Sequence, residues 1–350
     1  MTLSKNTIYA IFAVVVMFSA CNIGDENPSS TYGSGIFITC EGAFPGTGTV
    51  SFYNRTDSVL TDIYATENGA SKIGSTFQSM TQYRGLAYLA VNGANRVIIA
   101  DAKTFKVQSS LDTGLAFPNN IIGVDTALYI SEWGKNGVNG AIKHYSLATK
   151  SLVKTTLTGV GSDDMIYANF RLWVVNGGGF GQDSTVAVVN TVRDSVERKV
   201  EVGLAPNSIV QDVNGDIWVL SGGYFNRAGN GKLVRIRENN VINTFDVPKY
   251  ASSLTLDATK STLYFIANNK IYVKDLLNFG VTPPSVFLTN EAFKGLYSIA
   301  VEPKTNNLYI GDAKDFKVTG EIFIYDLNTK SLKKVLSKGV GIAPNGFIFN

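Results

Sequence analysis

The 350-residue chain contains a single histidine, His144, and only two cysteines, Cys21 and Cys40. One histidine excludes any mechanism that needs a histidine pair or cluster. Two cysteines exclude a disulfide scaffold and a multi-cysteine metal site. Charge is also sparse: charged residues make up 17% of the chain, and 31 basic against 28 acidic residues leave a formal net charge of +3. The two signs are interspersed, so neither nucleic acid nor an anionic membrane surface is an expected partner. The apolar run at residues 8–18 is eleven residues long, well short of the roughly 20 that span a bilayer as a helix. No segment keeps a long 3.6-residue apolar period, which argues against an α/β solenoid. What the chain does have is glycine (34 residues), aromatics (11%) and frequent Val, Ile, Thr and Tyr, a composition that favours strands joined by turns.

Residues 1–20 read as a secretory leader, with Lys5 as its positive region and the short apolar run behind it. The leader ends in Phe18-Ser19-Ala20-Cys21, which resembles the lipobox of bacterial lipoproteins. That resemblance implies that Cys21 is acylated, becomes the mature N-terminus and holds the protein on a membrane through lipid alone. Residues 21–34 follow as a polar tether without periodicity. Within it, Asp25-Glu26 resembles the acidic export signal of Bacteroidota surface lipoproteins. The implied location is the outer membrane, facing outward.

The remainder repeats. A short apolar run with an aromatic at its centre recurs at Phe37, Tyr88, Tyr129, Trp173, Trp218, Tyr264 and Tyr309. Successive aromatics lie 51, 41, 44, 45, 46 and 45 residues apart, the period of propeller blades. Each unit accommodates four short strands. In the last they are predicted at residues 298–301, 307–310, 321–325 and 332–336, with the Asp326-Leu327-Asn328 turn between the final two. Most units begin with a Pro-Asn or Ser-rich lead, as at Pro118-Asn119, Pro206-Asn207 and Ser252-Ser253. The first unit lacks this strand, and Pro344-Asn345-Gly346-Phe347-Ile348-Phe349 at the other end supplies it. The expectation is an all-β, seven-bladed propeller over residues 35–350. Its C-terminal strand closes the ring on the N-terminal blade and hides two sheet edges. A two-domain β protein would need a linker, and none is evident after residue 34.

This repeat, its Asn- and Gly-ended strands and the opening Gly35-Ile36-Phe37-Ile38-Thr39-Cys40-Glu41-Gly42 resemble the YncE-like propellers of Bacteroidota surface lipoproteins. Those often carry Asn-Glu-Gly where this chain has Cys40-Glu41-Gly42. The resemblance covers residues 35–350 and implies the propeller fold. One related group captures cobalamin at the cell surface and passes it to an outer-membrane transporter. The resemblance therefore implies a small nutrient or cofactor as ligand and such a transporter as partner, with no residue-level motif for cobalamin.

In a propeller, the loops between second and third strands share a face with the segments entering the innermost strands. Here those loops are long and glycine-rich, at residues 41–48, 132–137, 176–183, 222–227 and 312–317. They carry Phe44, Trp133, Phe180, Tyr224, Phe225 and Phe316 beside Glu41, Asn176, Arg227 and Asp312, and Asn92 is a further candidate. Asn119, Asp163, Asp164, Asn207 and Asn345 are expected on the same face. Aromatic anchors among scattered polar groups suit a binding surface, because they bury area at little side-chain entropy cost. The alternative for each aromatic is packing over its own blade.

Catalytic arrangements are weak. His144 sits in a predicted third strand without a second histidine, and Cys40 has no histidine beside it to activate a thiol. Gly177-Gly178-Gly179 is followed by no helix that would make it a phosphate loop. The leading reading is a non-catalytic, lipid-anchored binder that uses no cofactor of its own. A protein- or glycan-interaction scaffold remains an alternative. So does a metal-dependent hydrolase or lactonase with Glu41, Asn119, Asp164, Asn207 and Asn345 around one ion.

Overall fold

The second strand of each repeat is apolar on both faces, and its surroundings require that. Ala127–Glu132 and Ile217–Ser221 are buried at every position. The outermost strands, such as Val107–Leu111 and Ser195–Glu201, are largely exposed and read as polar. A strand pressed between two neighbouring sheets needs apolar side chains on both sides, whereas an edge strand on the circumference needs few.

The computed structural model describes residues 32–56, 58–277 and 282–350. The predicted leader, the predicted acylation site Cys21 and most of the expected tether lie outside the described residues. Seven four-stranded antiparallel sheets form the blades of a propeller. Blades 2 to 7 run in chain order, their inner strands being Phe77–Tyr83, Pro118–Val124, Ser162–Ala168, Pro206–Gln211, Ser252–Leu256 and Leu296–Val301. Blade 1 joins Pro344–Phe349 to Ile36–Cys40, Thr49–Tyr53 and the two-residue Val59–Leu60.

The ring therefore closes as expected, with Phe37 opposite Ile348 and Ile38 opposite Phe347. Further contacts reinforce the joint. Arg55 Nε donates to Glu302 Oε1 of blade 7 at 3.1 Å, and Arg55 Nη2 donates to the Asn350 carbonyl at 3.2 Å.

The core is divided into seams rather than gathered in one centre. Seven buried apolar clusters each lie between two adjacent blades. The seam between blades 1 and 2 contains Phe37, Phe52, Leu89 and Ile98, and that between blades 4 and 5 contains Trp173, Val175, Val219 and Val234. Each such side chain contributes about 1.5–3 kcal/mol by burial. The 51-residue first spacing has a local cause. After the short outer strand of blade 1 comes a one-turn helix, Ile63–Glu67, whose Ile63 and Tyr64 enter the first seam. Asp62 caps it by accepting the Ala65 N–H at 3.3 Å.

Candidate functional site: the mouth of the central channel

All seven inner strands break register at their leading end. Phe77 pairs with Val91 and Ser79 with Ala90, so Gln78 is left out of the ladder. The same slip leaves out Asn119 and Asn120, Asp163 and Asp164, Asn207, Ser253 and Leu254, Tyr297 and Asn345 in the other blades. A bulge releases a side chain from the alternation of the strand and re-aims it. Here the released residues line a funnel of about 400 Å³ at the channel mouth, together with Ser79, Ser208 and Ser252. Entry into these strands uses left-handed backbone at Thr76, Phe117, Ala205 and Ala343, with φ of 53°, 55°, 53° and 54°. Such conformations cost non-glycine residues free energy. Their recurrence ties them to the turn from outer rim to centre.

The same residues bind the blades to one another. Asn345 Nδ2 donates to the Phe77 carbonyl of blade 2 at 2.8 Å, and Ser79 Oγ donates to the Asn119 carbonyl of blade 3 at 2.5 Å. Asn120 Nδ2 reaches Asp164 Oδ1 of blade 4 at 2.9 Å, and Asp164 Oδ2 accepts the Ile209 N–H of blade 5 at 3.2 Å. Asn207 Nδ2 donates to the Ala251 carbonyl at 2.9 Å, and Ser253 Oγ accepts the Ile299 N–H at 2.9 Å. Ser298 Oγ completes the circuit by donating to the Pro344 carbonyl at 2.8 Å. Each of the seven junctions thus has a side-chain hydrogen bond near the channel, and the funnel is held rigid by the ring it lines.

Two carboxylates dominate its electrostatics. Burial pushes the Asp163 carboxyl up to about 6, against hydrogen bonds from Trp133 Nε1, 3.3 Å away, and from Asn119 Nδ2. Burial likewise lifts Asp164 to about 7, opposed by the Ile209 and Met165 N–H groups and assisted by the neighbouring Asp163 charge. Gly177 permits this placement of Asp163, because a Cβ there would lie 2.3 Å from Asp163 Oδ2. In blade 7, Tyr297 donates to Glu41. Burial and the Glu41 charge keep the Tyr297 phenol far above its ordinary pKa, so it remains a donor. The funnel thus offers amides, hydroxyls and carboxylates. It suits a ligand rich in hydrogen-bond donors, and its charge changes between about pH 5 and 8.

Aromatic rings stand over this mouth on opposite sides of the ring. Phe117, Trp133 and Phe180 form a cluster with centroids 5.4–6.2 Å apart, and Phe316 meets Tyr297 edge-on at 5.0 Å. Phe44, Phe225, Phe180 and Phe316 are 87%, 83%, 67% and 44% exposed.

The structure sorts the sequence-based candidates into groups. Asn119, Asp164, Asn207 and Asn345 line the funnel, and Glu41 reaches it through Tyr297. Phe44 and Phe225 are exposed rings, and Phe180 and Phe316 are exposed while packing edge-on against Trp133 and Tyr297. Trp133 and Tyr224 are built in: Tyr224 Oη accepts the Asp183 N–H at 2.7 Å and donates to the Gly177 carbonyl at 3.0 Å. Exposed Arg227 bonds Gln182 Oε1 at 3.1 Å. Three candidates turn inward instead. Asn176 is fully buried and donates to Thr185 Oγ1, while Asp312 accepts the Lys294, Gly295 and Lys314 N–H groups. Asn92 is buried at the start of its loop. Asn176 and Asp312 end second strands, where their side chains organise the adjoining loop, whereas Asn92 follows one and its Nδ2 has no hydrogen-bond partner among the described residues.

Gln78, Tyr297 and the serines were not among the candidates. Their signal was position: each lies one or two residues into an inner strand, where Asn follows Pro in three blades. Elsewhere, His144 Nδ1 lies 2.8 Å from Asp194 Oδ2, and Cys40 is fully buried with its thiol pushed up to about 12 by that burial. Among the described residues, no three His, Cys, Asp or Glu side chains are grouped to hold a metal ion.

Fold and site together define a seven-bladed β-propeller with a polar funnel at one end of its channel. The chain belongs to the DUF5074 family, described as a domain of unknown function, which matches residues 34–350. No curated protein matches it in sequence. Among solved structures it is similar to a quinonprotein alcohol dehydrogenase-like protein from Bacteroides thetaiotaomicron VPI-5482, at 15% identity and a TM-score of 0.66 over 91% of this chain and 78% of that one. A functionally unknown protein from Desulfotomaculum acetoxidans DSM 771 matches at 10% identity and a TM-score of 0.66, over 91% and 99%. Hydrazine synthase from Kuenenia stuttgartiensis matches at 14% identity and a TM-score of 0.60, over 74% and 84%. At these identities the likeness is one of fold. Propellers of this kind include enzymes and non-enzymes, so the fold alone does not decide whether this protein is catalytic.

Proposed function

We propose that the protein is a non-catalytic binder that captures a polar nutrient on its loop-rich face, with the funnel as floor and the exposed aromatics as rim. The observation that carries this reading is the convergence of seven bulged inner strands on one funnel, beneath four exposed phenylalanines on the same face. A rigid, prepaid arrangement of polar groups loses little entropy on binding. The funnel's polar groups are bonded to one another and to neighbouring blades, Tyr297 to Glu41 among them, which favours holding over transforming. The Cys21 lipobox and the resemblance to YncE-like surface lipoproteins of Bacteroidota extend the proposal to a lipid-anchored outer-membrane protein that hands its ligand to a transporter.

Cobalamin is the first named ligand. A corrinoid is far larger than a 400 Å³ funnel, so it would lie across the aromatic rim and insert only a polar side group below. Titration calorimetry of the full chain with cobalamin and cobinamide tests this. Saturable heat that Phe225→Ala and Phe180→Ala reduce supports the reading, and absence of heat with both removes corrinoids. Native mass spectrometry of protein purified from its host then reports whether any small molecule accompanies it and whether Cys21 carries lipid. A ligand-free protein with a bare Cys21 would overturn the anchored-capture reading.

A further inference from the structure

Two-residue hairpin turns with positive φ at both central positions favour glycine or asparagine in the second, because a bulky side chain is strained there. Three such turns comply. Arg84-Gly85, Glu238-Asn239 and Asn268-Asn269 have φ of 50° and 78°, 48° and 68°, and 49° and 56°. The turn between the first two strands of blade 4 departs from them. Asn169 and Phe170 have φ of 52° and 60°, so an aromatic occupies the strained place. Its ring gains no shelter in return, being 79% exposed. Strain carried by an exposed aromatic points to a use outside the fold.

Phe170 stands at the rim of a cavity of about 640 Å³ between blades 4 and 5, on the face opposite the funnel. Three hairpin turns wall it: Asn169-Phe170, Asn214-Gly215 and Glu238-Asn239. Its floor is the seam between the two blades, where Trp173, Ile217 and Ile236 are buried. Two ion pairs flank that floor. Arg171 Nε donates to Glu197 Oε2 at 2.6 Å, and Arg237 grips buried Asp216 through Nε and Nη2, both at 2.8 Å. Other polar atoms of the lining are unspent. Arg171 Nη2, Arg237 Nη1, the side-chain amides of Asn214 and Asn239 and the Glu238 carboxylate form no hydrogen bond among the described residues.

Charge on this lining is nearly balanced, with the guanidiniums of Arg171 and Arg237 set against the carboxylates of Glu197, Asp216 and Glu238. The cavity therefore selects neither a strong anion nor a strong cation. It offers an aromatic face, N–H donors and oxygen acceptors at one opening. That combination complements a pyranose ring, whose C–H face packs on an aromatic while its hydroxyls donate and accept around the edge. We propose that this cavity is a second binding site, independent of the funnel, for a small neutral saccharide. Phe170 is the stacking platform, the guanidinium nitrogens donate to sugar oxygens, and Asn214, Asn239 and Glu238 take the remaining hydroxyls. Cavities of about 300–1,000 Å³ hold compact organic ligands, so this one has room for a disaccharide.

The test is saturation-transfer difference NMR and titration calorimetry on the full chain with maltose, cellobiose and N,N′-diacetylchitobiose, with sorbitol as the acyclic control. At least one disaccharide should bind saturably in the millimolar range and independently of salt, with sorbitol silent. Phe170→Gly relieves the left-handed strain while removing the platform. It should keep or raise the melting temperature and weaken binding about tenfold or more, as loss of an aromatic anchor does. Asn214→Ala, on an exposed turn, should weaken binding about two- to tenfold with the melting temperature unchanged. Phe225→Ala, on the funnel face, should leave this binding intact. The proposal is overturned if no disaccharide saturates at millimolar concentration, if Phe170→Gly binds as the parent does, or if only Phe225→Ala abolishes binding.

Discussion

Asp163→Asn isolates the electrostatic cost stored in the funnel. Asp163 Oδ1 accepts hydrogen bonds from Asn119 and Trp133, and an asparagine carbonyl in that place accepts both. The substitution therefore removes charge while retaining the hydrogen bonds. Burial holds the folded carboxyl at about 6, against 3.8 as its ordinary value. The folded state thus keeps its proton more tightly than the unfolded one. Stability must fall as pH rises from about 4 to beyond 6, because over that range the unfolded state binds fewer protons. A difference of roughly two pKa units at about 1.4 kcal/mol each sets a ceiling near 3 kcal/mol. The side chain faces an open funnel, and screening by water brings the expected effect to about 1–2 kcal/mol. Urea unfolding of parent and variant from pH 3 to 8 measures it. The two should be nearly equal at pH 3, and Asp163→Asn should become the more stable as pH rises, reaching its full advantage above pH 7. A difference that does not vary with pH, or an advantage to the parent at pH 8, would refute the assignment of Asp163 as a carboxylate raised by burial.

Other perturbations separate what builds the ring from what the ring presents. Asn345→Ala removes hydrogen bonds to Thr39 Oγ1 and to the Phe77 and Gln78 carbonyls at the closing junction. At about 1 kcal/mol each it should destabilise by about 2–3 kcal/mol, read as a lowered urea midpoint. Phe225→Ala, at an 83% exposed ring, should leave the melting temperature within a degree or so while weakening ligand capture. Trp133→Ala should lower both, since it strips a packed ring from Phe117 and Phe180 and a donor from Asp163. Cys40, with its thiol near 12, should resist iodoacetamide at pH 8 in the folded protein and react at once in urea, followed by mass spectrometry.

Much of the architecture could be read from the chain. A repeat marked by one aromatic places seven second strands, because a doubly buried strand leaves a continuous apolar signature that local composition preserves. The Pro-Asn leads locate two inner strands, and Pro344-Asn345 announces the closing one. The one-turn helix after Leu60 left no such trace, since five residues are too few to establish a period.

Within the site, legibility followed how local the cause was. Exposed loop aromatics such as Phe44 and Phe225 were identifiable as residue type and loop position. Whether Trp133 and Tyr224 would also stand free was not, because their partners Asp163 and Gly177 lie in other parts of the chain. Asn176 and Asp312 looked the same in sequence as Asn119 and Asn207. Their environments differ because the first pair ends a second strand facing loop backbone, while the second pair sits in a bulge facing the channel.

The sequence by itself determined seven blades, the closing strand and the face on which the loop aromatics gather. Only the tertiary structure decided which polar residues share the funnel, and that burial raises the Asp163 and Asp164 carboxyls above their ordinary range. The physical reason is range. Strand formation answers to neighbours along the chain, whereas desolvation and hydrogen-bond satisfaction answer to neighbours that the closed ring brings in from other blades.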